Sequence, residues 1–138
     1  GVYIEGTTYG NQIGDTISRT GLFTPIKETG NIIAFSKEQG IVVVDNGATQ
    51  NIMLSNSIYS NGTLGIDLGN NGVTINDTGD GDTGPNGFQN SPVLDTLKID
   101  LGNKSIYIGG HLASASNSDF TLQFFANKVG DNTGYGEG

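Results

Sequence analysis

Two stretches, NIIAFSKEQGIVV (31–43) and NSIYSNGTLGIDL (56–68), superimpose at a constant shift of 25 residues. The shift sets Asn31 over Asn56, Ile33 over Ile58, Gly40 over Gly65, Ile41 over Ile66 and Val43 over Leu68. A second pairing sets GVYIEG (1–6) over GIVVVD (40–45) and Asn11-Gln12-Ile13 over Asn51-Ile52-Met53. The first pass is therefore longer, and its surplus falls in 15–30. That stretch carries Arg19, Pro25 and the isolated apolar residues Ile17, Leu22, Phe23 and Ile26, the pattern of a loop inserted into one repeat.

The repeated segments alternate as strands do. Ile41, Val43, Ile66 and Leu68 share one face, the predicted core, whereas Tyr3, Val42 and Asp67 form an outward row. The apolar part of that row, with Val44, is expected to be covered by Pro92-Val93-Leu94 or by the 15–30 insertion. A unit of roughly 20–25 residues cannot bury its apolar face alone, so it must stack on neighbouring copies, with parallel strands about 4.8 Å apart. Stacking puts Asn31 under Asn56 and Asn11 in a column with Asn51. Two readings of these asparagines stay open: amide side chains bonded along the stack, or residues that merely tolerate left-handed corners.

Composition agrees with an all-β chain of tight turns. Hydrophobic residues are 34% and charged ones only 14%, while glycine reaches 23 of 138 residues, so polarity comes from turn-formers rather than from the Lys and Glu of helical surfaces. A formal charge of −8 and a pI near 4.2 oppose nucleic acid and anionic membrane surfaces as partners. The absence of cysteine removes disulfides and thiolate ligands, and no apolar run nears the ~20 residues of a membrane span. The length suits one domain, or one and part of a second. The start at Gly1 leads to the expectation of a secretion signal further upstream.

The stretch from Gly30 to Leu94, with its Asn- and Gly-rich repeats, resembles bacterial secreted right-handed parallel β-helix proteins of the pectin-lyase-like superfamily. The segment GIDLGNNGVTINDTGDGDTGPNGFQNSPVL (65–94) looks like the end of such a helix, and HLASASNSDFTLQFFAN (111–127) with GYGEG (134–138) is similar to the opening strands of a β-sandwich-like module. The resemblance implies a right-handed parallel β-helix, or solenoid, over 1–72 with its insertion at 15–30. An Asp/Asn/Gly-rich terminal loop follows over 73–95, then a β-hairpin of an incomplete module over 96–138. It further implies an extracellular or cell-surface location. Enzymes of this superfamily use Arg or Lys bases or clustered Asp residues. Here the only arginine is Arg19, and no second carboxylate shares the row of Asp67 at the ~5–9.5 Å of glycoside chemistry.

The sharpest local signal is Asn76-Asp77-Thr78-Gly79-Asp80-Gly81-Asp82-Thr83-Gly84-Pro85-Asn86. Calcium takes six to eight oxygen ligands from flexible acidic loops, which makes Asp77, Asp80, Asp82, Asn76 and Asn86 the candidate metal ligands. The EF-hand spacing is not met, and the plain reading of the same residues is a long turn. His111, without a second His or any Cys, reads as a packed or surface residue. The sequons at Asn61, Asn76 and Asn103 are what chance produces in such a chain. The Asn-Gly pairs at Asn46, Asn61, Asn71 and Asn86 mark turns that need positive φ.

In the C-terminal part, Lys104–Leu112 and Phe120–Ala126 alternate and are expected to pair as a hairpin through 113–119. A lone hairpin is marginal in water, so it must cap the β-helix, join strands beyond Gly138 or accept a strand from another molecule. The reading is a non-catalytic structural or adhesive segment of a bacterial surface or secreted protein, not an enzyme. One alternative is a β-helix that binds or cleaves polysaccharide through calcium, with Asp67, Asp77, Asp80 and Asp82 as its acids. The other is a segment that self-associates through exposed strand edges.

Overall fold

The computed structural model describes residues 1–15, 30–131 and 133–136. Among these the chain is all-β, with a single 3-10 turn at Pro85–Phe88. No helix among them is long and apolar enough to cross a membrane. Seven three-residue strands come first: β1 (Val2–Ile4), β2 (Gln12–Gly14), β3 (Ile32–Ala34), β4 (Ile41–Val43), β5 (Ile52–Leu54), β6 (Ser57–Tyr59) and β7 (Ile66–Leu68). They form three parallel sheets, ordered β1-β4-β7, β2-β5 and β3-β6, so each pass of the chain lays one strand on each sheet. Most of the inserted segment lies outside the described residues.

The register is the one the repeat predicts. Val2 pairs with Ile41 and Ile41 with Ile66, Ile13 pairs with Met53, and Ile33 pairs with Ile58. Like residues therefore stack, and Ile4, Ile33, Ile41, Val43, Ala48 and Ile58 close into one core, with Val2, Ile13, Met53 and Leu68 packed against it. Ile41 and Val43 are fully buried, whereas Ile66, one rung on, is 41% exposed. The difference is positional: β7 is the edge strand of its sheet, and no further rung covers it. Glycine precedes β4 because of this close stacking. A Cβ on Gly40 would lie 2.7 Å from the carbonyl oxygen of Gly65 in the next rung, closer than real contacts allow.

The corner asparagines bond along the stack. Asn56 Oδ1 accepts from both the backbone N–H and Nδ2 of Asn31 (each 3.1 Å), and Asn56 Nδ2 donates to the Ile13 carbonyl (2.8 Å). Asn51 Oδ1 accepts from the same two groups of Asn11, at 3.1 and 2.8 Å. The left-handed conformation falls one residue earlier, on Gly10, Gln50 and Ser55 before Asn11, Asn51 and Asn56, and on Ser60 before Asn61, whose Oδ1 accepts from Ser36 N–H (3.1 Å). At these corners, then, the asparagines hold the ladder and their predecessors turn the chain. The Asn-Gly pairs divide similarly: both residues have positive φ only at Asn86-Gly87, and at Asn71-Gly72 only the glycine does.

Two long strands follow, β8 (Val93–Asp100) and β9 (Ser105–His111), paired antiparallel from Val93↔His111 to Asp100↔Ser105 with a bulge at Leu94/Thr96. This corrects the expected hairpin. β9 pairs with the segment before it, and Phe120–Ala126 is in no strand. The nearer partner wins because a short turn closes it. Asp100 accepts hydrogen bonds from Asn103 N–H (3.0 Å) and Asn103 Nδ2 (2.7 Å), and Lys104 takes the positive φ. These bonds to Asn103 hold the Asp100 carboxyl below the usual carboxylate range. A carboxyl with a depressed folded value contributes stability above its unfolded value and loses it as pH falls through the folded one. The hairpin turn is thus expected to loosen in acid, below the ordinary carboxylate range. NMR titration of Asn103 should follow the Asp100 carboxyl, and Asp100→Ala should flatten that transition.

Candidate metal centre

The acidic loop leaves β7 and is held at two points, one on the stack and one within the loop itself. Its 3-10 turn brings Asn86 onto the column of Asn11 and Asn51. Asn86 Oδ1 accepts from Asn51 N–H (2.9 Å), Asn86 Nδ2 donates to the Asn51 carbonyl (2.7 Å), and Asn86 N–H donates to the Ala48 carbonyl (2.7 Å). Asn86 thus serves as the next rung, and its side chain satisfies backbone groups that a further strand would otherwise pair. Gln123 does the same at the next corner, accepting from Ser55 N–H at 3.0 Å.

The second point is Asn90, buried at 4% exposure. Its Nδ2 donates to the carbonyls of Asp77 (2.9 Å) and Ala113 (2.7 Å), its Oδ1 accepts from Asp77 N–H (3.0 Å), and its own N–H donates to Asp80 Oδ1 (2.7 Å). Ser114 Oγ donates to the other Asp80 oxygen, and Gly81 N–H donates to Asp77 Oδ2. The effect is to gather carboxylates: one oxygen each of Asp77, Asp80 and Asp82 lies within 4.8 Å of the others. Oxygens on opposite sides of a calcium ion, each at 2.3–2.6 Å, are about 4.6–5.2 Å apart, so the three fit around a single ion. Asp77 and Asp80 are half-buried and Asp82 is exposed.

Of the five residues predicted as ligands, the structure brings together Asp77, Asp80 and Asp82. Asn76 and Asn86 have other work: Asn76 Oδ1 accepts from Ser91 N–H and Oγ, Asn76 Nδ2 donates to the Ser91 carbonyl, and Asn86 belongs to the column. Asn90, which organises the cluster, carries no sequence signal, because its partners lie 10 to 23 residues away.

Asp67 is corrected in a different way. It keeps its place in the row of Tyr3 and Val42 but is only 1% exposed. The loop 69–72 folds back over it. Asn71 N–H (3.3 Å), Gly72 N–H (3.0 Å) and Gln39 Nε2 (3.1 Å) all donate to its carboxylate, and Gln39 Nε2 also reaches Asn70 Oδ1. This carboxylate closes a turn and is out of reach of a substrate. Nor do Pro92-Val93-Leu94 cover that row. They line an apolar groove of about 700 Å³ with Ile58, Leu64 and Ile66. Tyr3 remains 58% exposed, beside Gln39 and Asn70. His111 is a surface residue, its Nδ1 3.1 Å from Asp95 Oδ2.

No family model, curated protein or solved structure matches this chain.

Proposed function

We propose that the chain is a segment of a right-handed parallel β-helix that acts as a non-catalytic structural or adhesive element of a secreted or cell-surface bacterial protein. One observation carries the reading: successive passes lay strands in register on three parallel sheets, with apolar residues stacked inside and asparagine amides bonded along the stack. An architecture in which each pass contacts only its neighbours extends by simple addition, which suits a stalk. Asp67, the acid best placed on the outer row, is enclosed by its own turn. Incubation with polygalacturonate and neutral polysaccharides, read by reducing-end and unsaturated-end assays, should release nothing. Turnover abolished by a single Asp substitution would overturn the reading.

A second reading is favoured by the acidic triad: calcium-dependent adhesion or sugar binding. Calorimetric titration of chelator-stripped protein should show calcium binding below roughly millimolar and a rise in melting temperature that grows with calcium, since a ligand of the folded state alone stabilises it. Asp80→Asn with Asp82→Asn should lose both effects. If wild type and variant behave alike in calcium and chelator, the cluster is a turn, and the calcium-independent stalk stands.

A further inference from the structure

The fold treats its Asn-Gly pairs unequally, and Asn-Gly is a reactive dipeptide as well as a turn signal. The glycine nitrogen attacks Asn Cγ: a C–N bond forms, the Cγ–Nδ2 bond breaks, ammonia leaves and a succinimide ring closes. Water then opens the ring. Opening at Cγ leaves Asp, whereas opening at the main-chain carbonyl leaves isoaspartate, in which the chain runs through Cβ and a new carboxylate hangs from Cα. Either way a side-chain amide and a water become a carboxylate and an ammonium. Ring closure needs an unbonded glycine N–H and an asparagine amide able to swing over it.

Three pairs lack that freedom. Gly62 N–H donates to the Ser36 and Glu38 carbonyls (3.0 and 2.9 Å), while Asn61 Oδ1 accepts from Ser36 N–H and Asn61 Nδ2 donates to the Ile33 carbonyl (each 3.1 Å). Gly87 N–H donates to the Gly84 carbonyl (2.8 Å), and Asn51 holds the Asn86 amide. Gly72 N–H donates to the carboxylate of buried Asp67 (3.0 Å). Asn46-Gly47 differs. Asn46 is exposed, and neither its amide nor the Gly47 N–H has a hydrogen-bond partner among the described residues. The stack also demands this glycine, because a Cβ on Gly47 would lie 2.9 Å from Thr7 Cα in the neighbouring pass. We propose that Asn46 is a site of spontaneous deamidation, with water as co-reactant, and that its isoaspartyl form loosens the acidic loop from the stack.

The coupling follows from what this turn holds. Asn46 and Gly47 are the central residues of a β-turn closed by Ala48 N–H on the Asp45 carbonyl (3.1 Å). Ala48 is wholly buried, and its carbonyl accepts from Asn86 N–H (2.7 Å), one of the bonds that dock the loop. Isoaspartate adds a methylene to the main chain inside the turn. It therefore parts the Ala48–Asp45 bond or moves Ala48, and either weakens the docking. The new carboxylate also stands beside Asp45, whose Oδ2 accepts from Gly6 N–H (2.9 Å), and like charges repel. The inference is independent of whether the protein is a stalk or binds calcium.

Folded wild-type protein aged at mildly alkaline pH and followed by peptide mass mapping should convert Asn46 at least roughly tenfold faster than Asn61, Asn71 or Asn86. That is the factor made by about 1.4 kcal/mol of hydrogen bonding that the other pairs must first give up. In denaturing urea all four should react alike, since the difference belongs to the fold. Equal rates in the folded protein, or an Asn46 that reacts only in urea, overturn the site. The isoaspartyl form, separated on anion exchange by its extra negative charge, should exchange Asn86 N–H roughly tenfold faster than unaged protein. Asn46→Gln, whose longer side chain closes the ring poorly, should keep slow exchange through the same ageing. Unchanged exchange at Asn86 in the isoaspartyl form overturns the coupling.

Discussion

Ile41→Ala is expected to lower the unfolding free energy by about 2–5 kcal/mol, the range for truncating a fully buried aliphatic side chain in a packed core. Ile41 is wholly inaccessible and lies in the middle rung of the one three-stranded parallel sheet, stacked between Val2 and Ile66. Its neighbours are held by ladder hydrogen bonds on both sides, Ile41 N–H donating to the Gly65 carbonyl and Val2 N–H to that of Gly40. The rungs therefore cannot close over the lost atoms, and the loss should fall toward the upper part of the range. Ile52→Ala, at a position 43% exposed on an outward face, is the control and should change stability by under about 1 kcal/mol. Urea unfolding distinguishes the cases. The midpoint should move for Ile41→Ala at constant slope, and equal shifts for the two variants would contradict the stacked core.

Asn56→Ala should be comparably damaging, by about 3 kcal/mol, although it removes no core methyl group. The side chain is 3% exposed and makes three bonds, two to Asn31 and one to the Ile13 carbonyl. Deleting it takes the acceptor from the Asn31 N–H and Nδ2 and one donor from the Ile13 carbonyl, and three lost hydrogen bonds at about 1 kcal/mol each make up the loss. Asn56→Asp separates this account from simple loss of volume. The carboxylate could still accept from Asn31, but its second oxygen would face the Ile13 carbonyl with no proton to offer. The variant should be destabilised at neutral pH and recover in acid, once the protonated carboxyl can donate. A loss independent of pH would show that the Ile13 bond matters little.

The two predictions differ in how far ahead of the structure they could have been made. The stacking of Ile41 on Ile66 and of Asn31 on Asn56 follows from one shift of 25 residues, because a parallel sheet places equivalent residues of successive repeats side by side. The bonding of the asparagines depended on which corner residue takes the left-handed conformation, and Gln50, Ser55 and Ser60 carry no marker for that role. The acidic loop was legible as a cluster of oxygens but not as a geometry. Its shape is set by Asn90 and Ser114, and two of its five candidate ligands are drawn off by Ser91 and Asn51.

By itself, then, the sequence determined the all-β class, the register of the parallel strands, most of the inward residues and the place of the acidic residues. All of these depend on period and composition, which are local properties repeated along the chain. Only the tertiary structure decided that Asp67 is enclosed and that β9 pairs backward with β8. It alone set Asn86 and Gln123 as caps on the open rungs. Each of these is a contact between non-equivalent segments, settled by which donors and apolar surfaces come within reach once the stack has formed, and no repeat encodes it.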